Sequence, residues 1–242
     1  MNKLAIAIPT YNEKDNLNAL VSEIEKVLRN VNVKTAVLII DDNSPDGTGV
    51  IADNLAKHYK GDKFNVRVLH RKEKLGLSSA YLDAFEKLLP LGFDYIMTMD
   101  ADFSHNPRYI PEMLEIIEKN DLVIGSRYVK GGGVENWNLL RRFISKGGSL
   151  YSRIILGVNI KDFTAGFNLY RRGVLEGIDL KAIKSEGYAY QIEMKYHIAK
   201  KGFKIYEFPI IFPDRKFGKA KMSKRIVLEA LLRVWQIRFT KV

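Results

Sequence analysis

The chain of 242 residues contains no cysteine, and its apolar runs are short. The lack of cysteine excludes a disulfide-stabilised scaffold, thiolate metal sites and a cysteine nucleophile, and it fits a reducing compartment. No apolar run approaches the ~18–20 residues that cross a bilayer. Leu4–Ile8 ends at Pro9 and is shorter than the roughly 7–15 apolar residues of a secretory signal. We therefore expect a cytoplasmic protein, soluble or peripheral at the cytoplasmic face of a membrane.

The glycine-rich phosphate-binding fingerprints are also missing, although the chain has 18 glycines. Neither G-x-x-x-x-G-K-[ST] nor a G-x-G-x-x-G after a predicted strand occurs, which argues against a P-loop or a dinucleotide-binding site. The chain has enough apolar residues to form a packed core, because 46% of its residues are hydrophobic, including 12 Phe and 12 Tyr. A chain of this length and content suits one large α/β domain with a packed core.

The net charge of +11 is unevenly distributed along the chain. Residues 127–242 hold 24 of the 39 Lys and Arg but only 9 of the 28 Asp and Glu. This asymmetry predicts an anionic partner for the C-terminal half. Composition leaves open whether that partner is nucleic acid, a phosphorylated ligand or an anionic membrane.

Short apolar runs alternate with amphipathic stretches through the first half, as is typical of alternating strands and helices. The expected strands are Leu4–Ile8, Ala36–Ile40, Val66–Leu69, Tyr95–Met99 and Leu122–Ile124, and the expected helices are Glu13–Leu28, Val50–Tyr59, Ser78–Leu89 and Pro111–Glu118. This order predicts an α/β fold with a mostly parallel central sheet and helices on both faces. Asn12 is the expected N-cap of the first helix.

The second half is less regular. We expect helices at Arg141–Leu156 and Ala189–Ala199, extended segments at Phe167–Tyr170 and Phe203–Phe208, a loop over Pro209–Lys221 and a final helix over Ser223–Phe239. The final helix mixes apolar and basic residues, with Trp235 and Phe239 near its end. Such a helix can lie in a membrane interface or pack on the domain with a solvated basic face. We therefore divide the chain into one domain over residues 1–222 and a basic amphipathic helix over 223–242.

Acidic residues follow two of the predicted strands. Asp100 and Asp102 come directly after the fourth strand. Ligands of a parallel sheet bind beyond the carboxyl ends of its strands, and paired carboxylates suit Mg²⁺ or Mn²⁺. The alternative is that Asp102 or Asn106 simply caps the helix that begins near Pro107.

Asp41 and Asp42 follow the second strand. Two acidic strand ends in one sheet are unfavourable unless a cation or hydrogen-bond donors satisfy them. One pair can hold a metal-bound diphosphate while the other accepts hydrogen bonds from a nucleobase or ribose. The segment 44–47 (SPDG) is also typical of a turn and helix cap.

Nine motifs follow one another along nearly the whole chain: 9–13 (PTYNE), 41–48 (DDNSPDGT), 74–77 (KLGL), 100–105 (DADFSH), 125–128 (GSRY), 141–147 (RRFISKG), 162–167 (DFTAGF), 187–194 (GYAYQIEM) and 215–222 (RKFGKAKM). In this order they resemble the inverting family 2 glycosyltransferases of GT-A fold. More narrowly, they resemble dolichyl- and polyprenyl-phosphate mannose synthases. The resemblance implies that residues 1–222 form the GT-A catalytic domain.

The resemblance implies a role for each matching residue. The donor nucleotide is expected at Pro9, Tyr11, Glu13, Asp42, Asp100, Arg215 and Lys221, the last two on a mobile loop that closes on the diphosphate. The divalent metal, Mg²⁺ or Mn²⁺, is expected at Asp100, Asp102 and Ser104. Relatives often have glutamine at the position of Ser104, and serine is a poorer ligand. Ala220 replaces the serine that the family usually has before Lys221, which weakens a hydroxyl-based role there.

The acceptor phosphate is expected at Arg127, Arg141 and Ser145, and the residues expected to carry catalysis are Asp102, Arg127 and Asp162. An acceptor phosphate is already anionic, so it needs positioning by arginine rather than a general base. Asp162 is then left to orient a sugar hydroxyl, or to act as base if the acceptor were an alcohol.

The implied reaction transfers mannose from GDP-mannose to a dolichyl or polyprenyl phosphate with inversion, giving dolichyl β-D-mannosyl phosphate. Further expected partners are a membrane surface and a membrane-anchoring subunit. Nucleic acid is not expected, because no motif that reads RNA or DNA is present. The alternatives are a polyprenyl-phosphate glucosyltransferase that uses UDP-glucose, and a non-catalytic basic binding module.

Three further features stay open at this stage. Residues 131–133 (GGG) are either a flexible connecting segment without a further role or a loop that opens for a lipid head group. His105 lies beside the acidic motif without an assigned role. Gln191 and Glu193, on a predicted helix, suit either packing or contact with a sugar.

Overall fold

The computed structural model describes residues 1–214 and 224–240, with the backbone alone for Tyr188 and residues 224–230. Its strands are β1 (Asn2–Thr10), β2 (Val33–Asp41), β3 (Phe64–His70), β4 (Tyr95–Thr98), β5 (Leu122–Ser126), β6 (Gly133–Val134), β7 (Asn168–Arg171), β8 (Ile205–Pro209) and β9 (Ile211–Phe212). Its α-helices are α1 (Lys14–Leu28), α2 (Thr48–His58), α3 (Leu77–Leu88), α4 (Ile110–Ile117), α5 (Leu139–Leu156), α6 (Arg172–Gly177), α7 (Gly187–Lys200) and α8 (Lys224–Phe239).

Seven strands form one sheet in the order β3-β2-β1-β4-β7-β5-β8, and β6 pairs with β9 in a separate ribbon. The pairs β3–β2, β2–β1, β1–β4 and β5–β8 are parallel. Strand β7 runs antiparallel to both of its neighbours, β4 and β5. The predicted α/β fold with a mostly parallel central sheet is confirmed, and the single reversed strand lies in its middle.

The sheet is buried on both faces, as a parallel sheet requires. Side chains of β1 alternate between two apolar clusters: Ala5 and Ala7 face one cluster, and Leu4, Ile6 and Ile8 face the other. The first cluster includes side chains of α3 and α7, and the second includes those of α1 and α4. Helices therefore cover the sheet from both sides and leave its carboxyl-end edge for the loops.

Two local expectations are wrong. Asn12 does not cap α1: the N-cap residue is Glu13, and Asn12 has a φ of 60°. An N-cap normally has extended backbone angles, so the left-handed turn at Asn12 removes it from that position. The expected loop after Pro209 also begins with a strand, because Ile211–Phe212 pairs with Gly133–Val134.

Helix α8 is part of the folded unit. It lies against α5 and α7, and Val234 and Ile237 are each 1% exposed in the same apolar cluster as α7. Within the described residues, no helix has the length and apolarity needed to cross a membrane.

The glycine run at 131–133 has a defined structure. Gly131 has a φ of 89°, a conformation that other L-residues rarely adopt, and Gly133 begins β6. A Cβ at Gly132 would lie 2.6 Å from the carbonyl oxygen of Ser126. This close approach fixes the backbone just beyond the end of β5.

We expect Gly132→Ala to lower the free energy of unfolding by about 1–3 kcal/mol, because the added methyl meets backbone that cannot move aside. Urea denaturation measures the change. The control is Gly148→Ala in α5, where a Cβ would meet nothing within 4 Å. That variant should gain about 0.5–1 kcal/mol from helix propensity. Equal stability of Gly132→Ala and the unmodified protein would contradict the close approach.

Candidate active site

Acidic strand ends meet at one edge of the sheet. Thr10 at the end of β1 is in register with Asp41 of β2, and the backbone N–H of Met99, just after β4, donates to the carbonyl of Ala7. Asp100 therefore emerges on the same side as Asp41 and Asp42. The parallel register brings together carboxylates that are about 60 residues apart in the chain.

Asp100 and Asp102 differ in their surroundings. The side chain of Asp100 is 31% exposed, whereas Asp102 is buried and its Oδ1 accepts hydrogen bonds from the N–H (3.0 Å) and hydroxyl (2.5 Å) of Ser104. His105 is buried, stacks on Phe167, and accepts a 2.8 Å hydrogen bond at Nδ1 from the N–H of Asp100. His105 thus shapes the turn that carries the two carboxylates.

The donor set fits a divalent cation such as Mg²⁺ or Mn²⁺, since two carboxylates offer hard oxygen ligands. Ser104 has its hydroxyl hydrogen-bonded to Asp102, so in this arrangement it orients that carboxylate. Among the described residues, no group of three or more His, Asp or Glu side chains gathers as a metal site. Water or ligand oxygens would have to complete the coordination. The competing capping role falls to Asn106, which accepts from the N–H of Arg108.

The expected nucleotide residues lie on the neighbouring strand ends. Asp42 forms a buried ion pair with Arg71, whose Nη1 lies 2.7 Å from Oδ1. Burial raises the pKa of Asp42 above its ordinary value, although the charges of Arg71 and Lys74 oppose this. The ammonium of Lys74 sits 3.5 Å from the ring centroid of Tyr11.

The loops after β1 and β2 are joined to each other. The N–H of Asn12 donates to the hydroxyl of Ser44, and the N–H of Glu13 donates to the hydroxyl of Thr48. Pro9 is half-buried at the start of this arrangement. The residues that sequence reasoning placed around a nucleoside therefore form one connected rim.

Arg127 and Asp162 form a buried ion pair just beyond β5. The guanidinium donates through Nε to Oδ2 (2.8 Å) and through Nη2 to Oδ1 (2.6 Å), and the backbone N–H of Arg127 also donates to Oδ2. Nη2 also donates to the hydroxyl of Thr164. Burial alone would raise the pKa of Asp162, but the charge and hydrogen bonds of Arg127 hold it below its ordinary value. A carboxylate so held is a weak base, and its geometry is that of a residue that positions Arg127.

Arg141 and Ser145 project from the first turns of α5 next to Arg127. The guanidinium of Arg141 lies 3.8 Å from the ring centroid of Trp137 and donates to Asp214 at 2.6 Å. The hydroxyl of Ser145 accepts a 2.6 Å hydrogen bond from Tyr128. An incoming anion would compete with Asp214 for Arg141.

These side chains share one pocket of about 240 Å³. Its lining includes Asp100, His105, Arg127, Trp137, Arg141, Ser145, Thr164, Gly166, Gln191 and Phe212. The pocket lining thus includes one carboxylate and two guanidinium groups. Such a space can hold a metal-bound diphosphate and a second anion with an uncharged group between them.

Four of the expected site residues, Asp100, Arg127, Arg141 and Ser145, line this pocket. Asp162 is hydrogen-bonded to Arg127, and Asp102 is hydrogen-bonded to Ser104. The expected nucleoside residues lie in and just after β1 and β2 and are not part of the pocket lining. Arg215 and Lys221 lie outside the described residues. Sequence reasoning missed Arg71, Trp137, Lys195 and Glu207. Glu207 accepts from the hydroxyl of Ser126 and the N–H of Asp162, so it joins the two segments that carry the ion pair.

Lys195 is fully buried in α7, and burial lowers its pKa to about 7. Its amino group donates to the carbonyls of Phe163 and Ala165. A lysine inside a helix gives no sequence signal of burial, because most lysines on helices are exposed.

We expect Asp162→Asn to lower the free energy of unfolding by about 3 kcal/mol at pH 7, because it leaves the guanidinium of Arg127 buried without its counter-charge. The lowered pKa means that this stabilisation is present above pH ~3.9 and is lost as the pH falls through the native pKa. Urea denaturation between pH 3 and pH 7 measures both effects.

The matched control is Glu176→Gln, which removes the same kind of charge from the exposed ion pair between Arg172 and Glu176. This change should alter the free energy of unfolding by less than about 1 kcal/mol. If the free energy of unfolding falls by the same small amount in both variants, the buried ion pair of Arg127 and Asp162 does not stabilise the fold more than an exposed one.

Comparisons with known proteins identify the family of the chain. Residues 5–179 match the model of the family "Glycosyl transferase family 2". Polyprenol monophosphomannose synthase of Mycolicibacterium smegmatis is 44% identical over 236 residues, covering 96% of this chain and 86% of that protein. Undecaprenyl-phosphate mannosyltransferase of Micrococcus luteus is 46% identical over 227 residues, covering 94% and 90%.

Among solved structures, the fold is similar to glucosyl-3-phosphoglycerate synthase from Mycobacterium tuberculosis in complex with Mn²⁺, uridine diphosphate and glucosyl-3-phosphoglycerate. The TM-score is 0.67 with 17% identity, over 97% of this chain and 80% of that one. At this identity the likeness bears on the fold alone. The family match and the two close relatives cover most of the chain, which therefore belongs to glycosyl transferase family 2.

Proposed function

We propose that this glycosyltransferase transfers mannose from GDP-mannose to the phosphate of a polyprenyl or dolichyl phosphate, with inversion at the anomeric carbon. The observation that carries the proposal is a pocket of about 240 Å³ that Arg127, Arg141 and Ser145 line together with Asp100. Two relatives that are 44% and 46% identical bear the names of enzymes acting on polyprenol and undecaprenyl phosphates.

The arginine side of the pocket suits the acceptor. Arg127 is held in one orientation by Asp162 and Thr164, and the guanidinium of Arg141 lies 3.8 Å from the ring centroid of Trp137. Two positioned guanidinium groups can bind a lipid phosphate through charge-assisted hydrogen bonds. An anionic phosphate needs orientation rather than deprotonation, which agrees with the low basicity of Asp162.

The acidic side suits the donor. Asp100 and Asp102 would hold a divalent cation, which when bound neutralises charge on the leaving diphosphate. Pro9, Tyr11, Glu13 and Asp42 would bind the nucleoside, and Arg215 and Lys221 would contact the diphosphate. A phosphate oxygen of the acceptor attacks the anomeric carbon as the bond from that carbon to the GDP oxygen breaks. Attack opposite the leaving group converts the α-linked mannose into a β-linked product.

We expect Asp102→Asn to reduce mannosyl transfer by at least about 100-fold, because it removes a charged metal ligand. The assay uses labelled GDP-mannose, Mg²⁺ and undecaprenyl phosphate, with extraction of the lipid product. The control, Asp62→Asn, makes the same chemical change at a side chain that is 86% exposed, and its rate should match that of the unmodified protein. Retention of a tenth of the activity by Asp102→Asn would refute the metal-ligand role.

The donor is tested separately. Ligands that bind the native state raise the melting temperature according to their concentration relative to Kd. We expect GDP and GDP-mannose to stabilise the protein more than UDP and UDP-glucose at equal concentrations with Mg²⁺. The reverse order, together with lipid-linked glucose as the product, would replace the mannosyl donor in the proposal.

We also propose that the enzyme meets the cytoplasmic face of a membrane through α5 and α8. These helices touch, with the hydroxyl of Tyr151 donating to the carbonyl of Leu231. Exposed apolar residues on them are Leu139, Leu140, Phe143, Leu150, Ile154, Leu232, Trp235 and Phe239. Exposed Arg142, Lys146 and Arg153 lie among those of α5. Apolar and basic residues together suit an interface that contains anionic lipid.

We expect Phe143→Ser to weaken binding to vesicles of phosphatidylcholine and phosphatidylglycerol by roughly tenfold, because Phe143 is 78% exposed and would bury its ring in the interface. Vesicle sedimentation measures the binding. Val50→Ser is the control, since Val50 is 65% exposed on α2, away from these helices. Equal binding by all three proteins would show that α5 does not enter the membrane.

A further inference from the structure

The side chain of Gln191 is the starting point. Gln191 lies in α7, is 2% exposed and lines the pocket. Its Nε2 is a buried hydrogen-bond donor for which the described part of the chain supplies no acceptor. A buried polar group without a partner destabilises the folded protein, so its presence in a pocket wall indicates a ligand that supplies the acceptor.

The orientation of this amide follows from its neighbours. The carbonyl oxygen of Ala165 can only accept, so the Asn168 atom 3.2 Å from it is the donor Nδ2. The same Nδ2 lies 3.1 Å from Gln191 Oε1, and the amino group of Lys195 lies 3.4 Å from that oxygen. Two donors therefore hold the amide oxygen inward, and the NH₂ group is left towards the pocket.

Gly166 shows where the NH₂ group lies within the pocket. A Cβ at Gly166 would be 3.8 Å from Gln191 Nε2, 3.9 Å from Asp100 Oδ1 and 3.3 Å from His105 Cε1. The amide and the carboxylate thus flank a stretch of bare backbone that any side chain would partly fill. This place is beside Asp100, where the metal and diphosphate are expected, and it lies in the pocket that Arg127 also lines.

We propose that Gln191 donates a hydrogen bond to a hydroxyl group of the donor's hexose and thereby helps to select the sugar. The inference rests on the proposed function, because the group between diphosphate and acceptor is the transferred sugar. Lys195 and Asn168 position the amide from behind. A site built to donate to a hydroxyl discriminates strongly against a sugar that lacks it, since the donor is then left unpaired.

The test replaces Gln191 with methionine, which has a similar volume and no N–H. We expect kcat/KM for GDP-mannose to fall about 10- to 100-fold while the Kd for GDP stays within twofold. GDP-mannose analogues deoxygenated at single positions locate the contact. Removal of one hydroxyl should lower kcat/KM in the unmodified enzyme by a similar factor and have little further effect in Gln191→Met.

Two variants guard against a loss of folding. Gln191→Glu keeps an oxygen that accepts from Asn168 and Lys195 but lacks the N–H donor. Its kcat/KM for GDP-mannose should fall at least as far as that of Gln191→Met, while its melting temperature is retained. Thr35→Val is the matched control, because Thr35 Oγ1 is also buried and has no partner among the described residues, but it lies in β2 and does not line this pocket. Thr35→Val should change neither kcat/KM for GDP-mannose nor the Kd for GDP.

The inference is overturned if Gln191→Met and Gln191→Glu keep kcat/KM for GDP-mannose within twofold of the unmodified enzyme. It is also overturned if the removal of each hydroxyl lowers kcat/KM by the same factor in Gln191→Met as in the unmodified enzyme. Failure of the proposed function has a different signature, namely no lipid-linked mannose from the unmodified enzyme. In that event the ratio of the Kd for UDP-glucose to the Kd for UDP is measured in the same variants and in the unmodified enzyme. If the variants leave this ratio unchanged, the role of Gln191 is also overturned.

Discussion

The parallel pairing of β2, β1 and β4 is the constraint on which the rest of the site depends. Because the three strands run in one direction, their carboxyl ends lie at one edge, and the acidic residues after β2 and β4 are forced together. Such a cluster is unfavourable by itself. Arg71, Ser104 and the N–H groups of the turns satisfy part of it, and a cation and a nucleoside would use the remainder.

The opposite side of the pocket is organised by the ion pair of Arg127 and Asp162. Glu207 ties both of their segments to β8, and Gly132 packs its backbone against the end of β5. A guanidinium held at several atoms loses little conformational freedom when it binds a phosphate. A group positioned in advance in this way lowers the entropic cost of bringing the acceptor to the donor. Part of the basic charge of the C-terminal half therefore lies in this pocket, and part of it lies on the exposed face of α5.

Much of the fold follows from local sequence. The alternation of apolar runs and amphipathic stretches predicted the sheet and its covering helices, because burial on both faces of a parallel sheet leaves that pattern. The reversal of β7 and the pairing of β6 with β9 were not predictable, since strands of four and two residues are set by their neighbours rather than by their own composition. Asn12 failed as a cap because its backbone is left-handed, and its N–H donates to Ser44 in the loop after β2.

The sequence by itself determined the family, the acidic strand ends and the arginines, because these depend on residue types at positions that strand periodicity makes recognisable. Only the tertiary structure decided the partners: Arg71 for Asp42, Asp162 for Arg127, and the inward-facing oxygen of Gln191. Such contacts join residues that are 23 to 35 positions apart, and no local pattern records which side chains the folding of the sheet will bring into hydrogen-bond distance of each other.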